Sequence, residues 1–156
     1  MPRSGSVQLE VPDLALALYQ GADEIGGSDI VLSEIVDDGK PLVLNFYAAL
    51  CPPCRAEMPE FQHAYESRGN EVTILGVDIG PQFHLGTREE GEELLEEIGV
   101  SYPAGTTFDE TVVRGFQLVA MPTTLFIKAD GRLLRAWSGP LNSNKINELI
   151  DELLES

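Results

Sequence analysis

Two cysteines, three positions apart, are the residues of this chain best suited to covalent chemistry. Cys51 and Cys54 are the only cysteines among the 156 residues, and Pro52 and Pro53 separate them. Cysteines at this spacing can form and break a disulfide, and a Cys-x-x-Cys motif lowers the pKa of its reactive thiol. The spacing therefore predicts a redox-active pair, in which Cys51 is the nucleophile and Cys54 resolves the mixed disulfide.

The segments on either side of the cysteines are those that would hold them in place. The continuous apolar run at residues 42–46 predicts a strand buried on both faces. Pro52 suits the first position of a following helix, so Cys51 would lie at the helix N-terminus, where unpaired N–H groups stabilise a thiolate. Pro53 removes one of these donors, which favours a reductant or a moderate isomerase over a strong oxidant. Both prolines are expected to shape the site.

The rest of the chain alternates between strand and helix patterns. In order they are a hairpin within residues 7–36, a strand at 42–46, a helix from 52 with Pro59 inside it, a strand at 72–77, a helix at 87–99, a short helix at 109–116, strands at 123–128 and 133–137, and a helix at 146–154. This alternation predicts an α/β fold with a central mixed sheet covered on both faces. The length suits one domain, residues 1–156.

Composition excludes several classes of function. The net charge is −16, from 26 acidic and 10 basic residues, which disfavours binding to nucleic acid or to an anionic membrane. No apolar run approaches the roughly 18 residues that cross a bilayer. Residues 1–6 are short and polar, so we expect a tag remnant or a disordered start there rather than a secretory leader.

A second motif lies far from the cysteines in sequence. Met121 and Pro122 lead directly into the strand predicted at residues 123–128, and a proline at the start of a strand suits a cis peptide bond. With this motif, the chain resembles the thioredoxin superfamily, and more narrowly the TlpA/ResA-like thiol–disulfide oxidoreductases, in five stretches: residues 44–48, 51–59, 121–127, 130–131 and 137–139. The resemblance covers about residues 10–155, including the N-terminal hairpin and an insert at about residues 79–115.

The resemblance implies a thioredoxin-like fold and dithiol–disulfide exchange with protein partners. Electrons would come from an upstream dithiol protein, with no bound cofactor, and the protein is expected to be a monomer. Pro122 would be cis and pack beside the disulfide, and Met121 would offer its backbone to an extended substrate segment. The compartment implied is extracytoplasmic, with the protein tethered or soluble, and one role there is keeping thiols reduced, as in cytochrome c maturation.

Some residues near the motif differ from the common pattern. Leu50 replaces the tryptophan usual before the first cysteine, so no indole ring covers the partner-binding side of the disulfide. Tyr47 is expected to line the site. Asn45 stands where many thioredoxins have a buried aspartate. Because an amide cannot exchange a proton, a water, Asp78 or another acid must help to deprotonate Cys54. Asp78 itself is expected to be an exposed turn residue.

Three other functions remain open on the residues alone. A copper or zinc chaperone could use both thiolates, although zinc usually takes four ligands and only His63 and His84 could add nitrogen donors. A domain that binds partners without redox activity would carry unreactive cysteines. A peroxidase would be expected to show a Thr-x-x-Cys pattern at the nucleophile, and this chain has Ala48 at that position.

Overall fold

The computed structural model describes residues 8–37 and 39–156, so the start expected to be a tag remnant or disordered lies outside the described residues. Within these residues, seven strands form one mixed sheet: β1 (Ala15–Gln20), β2 (Asp29–Val31), β3 (Leu42–Tyr47), β4 (Thr73–Asp78), β5 (Ala104–Thr106), β6 (Thr123–Ile127) and β7 (Leu133–Ser138). Their order across the sheet is β2-β1-β5-β4-β3-β6-β7.

Helices cover both faces of this sheet, as the alternating pattern predicts. They are α1 (Ala22–Ile25), α2 (Leu32–Val36), α3 (Pro52–Arg68), α4 (Gly80–Phe83), α5 (Arg88–Ile98), α6 (Val112–Gly115) and α7 (Ser143–Glu155). One core cluster joins the sheet to α3, α5 and α7, and the other joins it to α2 and α6. Successive side chains of a strand point to opposite faces, so Val43 and Tyr47 enter the first cluster while Leu44 and Phe46 enter the second.

The central strands bring the two sequence motifs to one end of the sheet. β3 runs parallel to β4 and antiparallel to β6, with Phe46 opposite Thr123. The residues that follow β3 and the residues that precede β6 therefore lie beyond the same ends of these two strands. Cys51 and Pro122 lie in these two segments.

The N-terminal hairpin and the insert are confirmed, with differences in detail. β1 and β2 pair antiparallel, but the helix α2 begins at Leu32, inside the span where only a hairpin was expected. The sequence did not predict β5, which pairs parallel with β4 and antiparallel with β1 and so joins the hairpin to the main sheet. In the insert, the Thr87 hydroxyl accepts from the Glu90 N–H at 3.1 Å, and the Glu90 carboxylate accepts from the Thr87 N–H at 2.9 Å. These two bonds form a capping box at the start of α5, which agrees with the helix predicted at residues 87–99.

No helix in the described part of the chain combines the length and the apolar character needed to span a membrane.

Candidate active site

Cys51 and Cys54 form a disulfide at the N-terminus of α3, with their Cα atoms 5.2 Å apart. Cys51 is the N-cap residue, and its Sγ accepts a hydrogen bond from the Cys54 N–H at 3.3 Å. Because Pro52 and Pro53 carry no N–H, the Cys54 N–H is the first donor that α3 can offer to the sulfur. Cys51 is 4% exposed and Cys54 is fully buried, so a partner can approach Cys51 more readily than Cys54.

The surface around the disulfide is apolar on two sides. Leu50 is 56% exposed directly before Cys51, and the two prolines between the cysteines are also exposed. Val119, which sequence reasoning missed, is 83% exposed shortly before Met121. The Leu50 N–H donates to the Leu85 carbonyl at 2.9 Å, so Leu50 borders the insert, whereas Val119 lies just before the cis peptide bond at Met121–Pro122. These side chains can contact an apolar partner segment that lies over the disulfide.

The Met121–Pro122 peptide bond is cis, as the resemblance implies. Pro122 is buried, and its carbonyl oxygen accepts from the Gly139 N–H at 2.8 Å. Met121 is half-buried and packs against the core cluster that contains both cysteines. The second sequence motif therefore lies at the same end of the sheet as the disulfide, although the two are about 70 residues apart in the chain.

Tyr47 supports the site from inside and does not line its surface. It is 1% exposed, lies in the same core cluster as both cysteines, and its hydroxyl donates to the Gly91 carbonyl at 3.0 Å. Burial, with the nearby charge of Asp78 as the next cause, raises the pKa of Tyr47 well above its ordinary value. The phenol therefore stays neutral and acts as packing behind the disulfide.

Glu57 is the functional candidate that sequence reasoning did not name. It is 2% exposed and lies three residues after Cys54 on α3, so both side chains share one face of the helix. Its Oε1 accepts from Asn45 Nδ2 at 2.7 Å, and its Oε2 accepts from the Leu141 N–H at 3.0 Å. Burial raises the pKa of Glu57 to about 7, against the opposing effect of these two hydrogen bonds. A carboxyl group with such a pKa can take up or release a proton at neutral pH.

Glu57 also borders a groove at the protein surface. Despite its low exposure, it lines a groove of about 320 Å³ between α3 and the segment that leads into α7. The other lining residues come from these two segments: Ala56, Glu60, Pro140, Leu141 and Asn142. Neither cysteine lines this groove, so it approaches Glu57 from a side other than the disulfide.

The expectation that Asp78 is an exposed turn residue is wrong. β4 continues one residue past Val77, so Asp78 pairs with Tyr47 within the sheet and is fully buried. Its carboxylate accepts from the Gly80 N–H at 2.8 Å and from the Tyr19 hydroxyl at 3.0 Å. Burial raises the pKa of Asp78 to about 6, opposed by these two bonds and by the charge of Arg88.

Gly91 leaves room for the Asp78 carboxylate, which gives a test of this buried acid. A Cβ atom at Gly91 would overlap that carboxylate, although position 91 lies inside α5, where alanine normally favours a helix over glycine. We expect Gly91→Ala to lower the free energy of unfolding by about 1–3 kcal/mol, measured by denaturation of the oxidised protein. Gly115→Ala in α6 is the matched control, because its Cβ would make only an ordinary contact. Equal stability of Gly91→Ala and the parent would contradict the overlap.

The described residues offer little to a metal ion. Among residues 8–37 and 39–156, no group of three or more His, Cys, Asp and Glu side chains could hold one. His63 and His84, the two possible nitrogen donors, are both exposed. The cysteine pair by itself supplies two of the four ligands that zinc usually takes.

The chain matches one protein family and several relatives along most of its length. The AhpC/TSA family model matches residues 7–136. The thiol-disulfide oxidoreductase ResA of Oceanobacillus iheyensis is 28% identical over 139 residues, which cover 87% of this chain and 68% of that relative. The ResA of Bacillus subtilis is 24% identical over 130 residues, which cover 83% of this chain and 69% of that protein.

Solved structures with a similar fold bear related names. A putative thiol:disulfide interchange protein DsbE from Chlorobium tepidum superposes with a TM-score of 0.74 at 20% identity, covering 95% of this chain and 97% of that one. StoA from Bacillus subtilis superposes with a TM-score of 0.70 at 19% identity, covering 91% of this chain and 98% of that one. These similarities confirm the thioredoxin-like fold and the resemblance described from the motifs.

Proposed function

Because the chain belongs to the AhpC/TSA family and carries a disulfide at a helix N-terminus, we propose that it is a thiol–disulfide oxidoreductase acting on proteins. The observation that carries this proposal is the position of Cys51, whose sulfur accepts the first N–H of α3 beside an exposed apolar surface. The relatives named ResA are thiol-disulfide oxidoreductases, and they support the same activity for this chain. The direct test is catalysis of disulfide reduction in a protein substrate by the purified, reduced chain.

In the reaction we propose, Cys51 attacks first. Its thiolate forms a bond to one sulfur of the partner's disulfide, and the other partner sulfur leaves as a thiolate. Cys54 then attacks Cys51, which releases the second partner sulfur and forms the Cys51–Cys54 disulfide. Two electrons pass to the partner in this cycle, and an upstream dithiol protein restores the reduced pair. No bound cofactor takes part.

Glu57 supplies the proton acceptor for the second attack. Cys54 must lose its proton to become a nucleophile, and it is fully buried, where the charged thiolate is disfavoured. Glu57 lies one helical turn away on the same face, and its pKa of about 7 lets it accept the thiol proton near neutral pH. The Asp78 carboxylate is held by Tyr19 and Gly80 and lies against Gly91 of α5, so we assign it a structural part.

A partner segment would lie across the exposed side of Cys51. We propose that Leu50 and Val119 contact its apolar side chains and that Met121 pairs with its backbone beside Pro122. Backbone pairing gives affinity with little sequence preference, which suits an enzyme that reduces several proteins. We place the protein on the extracytoplasmic side, as the resemblance implies, where keeping the cysteines of apocytochrome c reduced is one such task.

The direction of electron flow that we propose is toward the partner. Among the residues that the structure describes, a single N–H, that of Cys54, donates to the Cys51 sulfur, and Arg55, the basic residue next to the motif, is paired with Glu97. A weakly stabilised thiolate makes the reduced form less stable, which lowers the reduction potential. We therefore expect a potential near or below roughly −250 mV, the range of thioredoxin-like reductants, measured by equilibration with dithiol redox buffers.

A matched variant tests the physical reason for this potential. Pro53→Ala restores one N–H at the helix N-terminus without adding charge. We expect it to raise the potential by about 30 mV, which corresponds to 1.4 kcal/mol for a two-electron couple. A parent potential near −120 mV would overturn the assignment as a reductant, and an unchanged potential in Pro53→Ala would overturn the role of the missing donor.

A further inference from the structure

Asn45 is a fully buried amide with one atom unpartnered. Its Nδ2 donates to Glu57 Oε1 at 2.7 Å and to Thr124 Oγ1 at 3.1 Å. Its Oδ1 is buried and has no hydrogen-bond partner among the described residues. An unsatisfied buried acceptor costs free energy, so this arrangement is favourable only if the two bonds of Nδ2 compensate for it.

The two hydrogen bonds to Glu57 suit its ionised state best, because neither partner can accept a hydrogen bond from a protonated carboxyl in the orientation observed. Both carboxyl oxygens accept from N–H donors, one from Asn45 and one from the Leu141 backbone. An ionised carboxylate is an acceptor on every side, whereas a protonated carboxyl must also donate. The Leu141 N–H belongs to the main chain and cannot become an acceptor. Of the two partners, Asn45 is the one that can change from donor to acceptor.

Other titratable groups also lie around Glu57. Tyr102 faces Glu57 from the segment before β5, and burial, with the charge of Glu57 as the second cause, raises the pKa of Tyr102 so far that it stays neutral. Cys54 precedes Glu57 by one turn and is oxidised in this structure. Glu60 lines the same groove from the same helix, and its Oε1 accepts from the Ser143 N–H at 3.0 Å.

We propose that Asn45 is a positioning residue for the Glu57 proton: its amide donates to the ionised carboxylate and, after half a turn about the Cβ–Cγ bond, accepts from the protonated one. The hydroxyl of Thr124 can donate as well as accept, so it remains a partner in both orientations. When the Cys54 S–H bond breaks and the Glu57 O–H bond forms, the rotation gives the new proton an acceptor. This inference rests on the proposed role of Glu57 as proton acceptor.

The test is NMR titration of the oxidised protein, in which neither cysteine can titrate. The side-chain amide resonances of Asn45 are expected to shift with the same midpoint as the carboxyl ¹³C resonance of Glu57. In Asn45→Leu, which removes the donor to the carboxylate, we expect the proton affinity of Glu57 to rise about tenfold. Thr73→Val, at a buried hydroxyl of β4 outside this network, is the control and should leave the Glu57 midpoint unchanged.

A second variant keeps the test valid if leucine prevents folding. Asn45→Asp has the same shape and places two carboxyl groups side by side, so we expect them to share one proton and to titrate in two separated steps. An Asn45 amide that does not respond while Glu57 titrates would overturn the proposal, as would an unchanged Glu57 midpoint in a folded Asn45→Leu protein. Normal thiol exchange in Glu57→Gln would instead overturn the proposed role of Glu57 and leave the Asn45 coupling standing.

Discussion

Replacing Cys51 with serine is expected to reduce the rate of disulfide exchange with a protein substrate by at least about a thousandfold. A serine hydroxyl is not ionised at neutral pH and cannot form the mixed disulfide. The loss should appear in single-turnover assays of the reduced protein with a disulfide-containing substrate such as insulin. Because Cys51 is the N-cap of α3 and serine is a good N-cap residue, the fold should be retained.

Cys54→Ser is the companion variant, and it is expected to fail at a different step. Cys51 can still attack the partner, but no second thiol releases it, so a covalent mixed disulfide should accumulate. Mass spectrometry of non-reduced samples would detect this species, and the double variant should trap nothing. If Cys54→Ser turned over normally and trapped no partner, or Cys51→Ser trapped one instead, the assigned order of attack would be wrong.

Much of the site could be predicted because its parts follow strong local rules. The apolar run before the cysteines predicts a buried strand, and Pro52 marks the start of a helix, as the structure confirms in β3 and α3. Because proline cannot lie in the middle of a sheet, Pro122 indicated the start of a strand, and β6 begins at Thr123. What brings Pro122 and Cys51 to the same end of the sheet is the antiparallel pairing of β3 with β6, which local sequence does not encode and which came from the resemblance.

Two elements of the fold could not be predicted because their structure depends on distant contacts. β5 is only three residues, Ala104–Thr106, with small side chains that give no strand pattern. It is a strand because β4 and β1 supply hydrogen-bond partners on both sides. Similarly, the segment after Val31 has apolar residues that suit a strand, but Leu32–Val36 turns into a helix that packs against the second core cluster.

The burial of two acidic residues, Glu57 and Asp78, also could not be predicted from local sequence. Glu57 lies in a polar-looking stretch of α3, and an acidic residue is usually exposed. Its spacing of three from Cys54 was the available signal, because that spacing places both side chains on the buried face. Asp78 was missed because strand ends are uncertain by a residue or more, and one further residue of β4 changes its position from turn to core.

Glu57→Gln is expected to remove a pH dependence of stability. Folding raises the pKa of Glu57 from 4.5 to about 7, so the folded protein binds this proton more tightly than the unfolded chain. The resulting stabilisation is complete below pH 4.5 and is lost as the pH rises through about 7, amounting to about 3 kcal/mol. Asp78 also stabilises the folded protein at low pH, but its contribution is lost as the pH rises through about 6. Denaturation between pH 6 and 8 should therefore show a falling stability in the parent and a nearly flat one in Glu57→Gln.

The same variant is expected to slow one chemical step and spare the other. Without a proton acceptor near Cys54, release of the mixed disulfide at pH 7 should slow by about a hundredfold, the usual effect of losing a general base. Attack by Cys51 does not use Glu57, so its rate should stay within a few-fold of the parent in rapid-quench experiments. Glu96→Gln, on the exposed side of α5, makes the same change in net charge away from the site and serves as the control. If both steps slowed equally, Glu57 would be acting on the helix or on Cys51 rather than on the Cys54 proton.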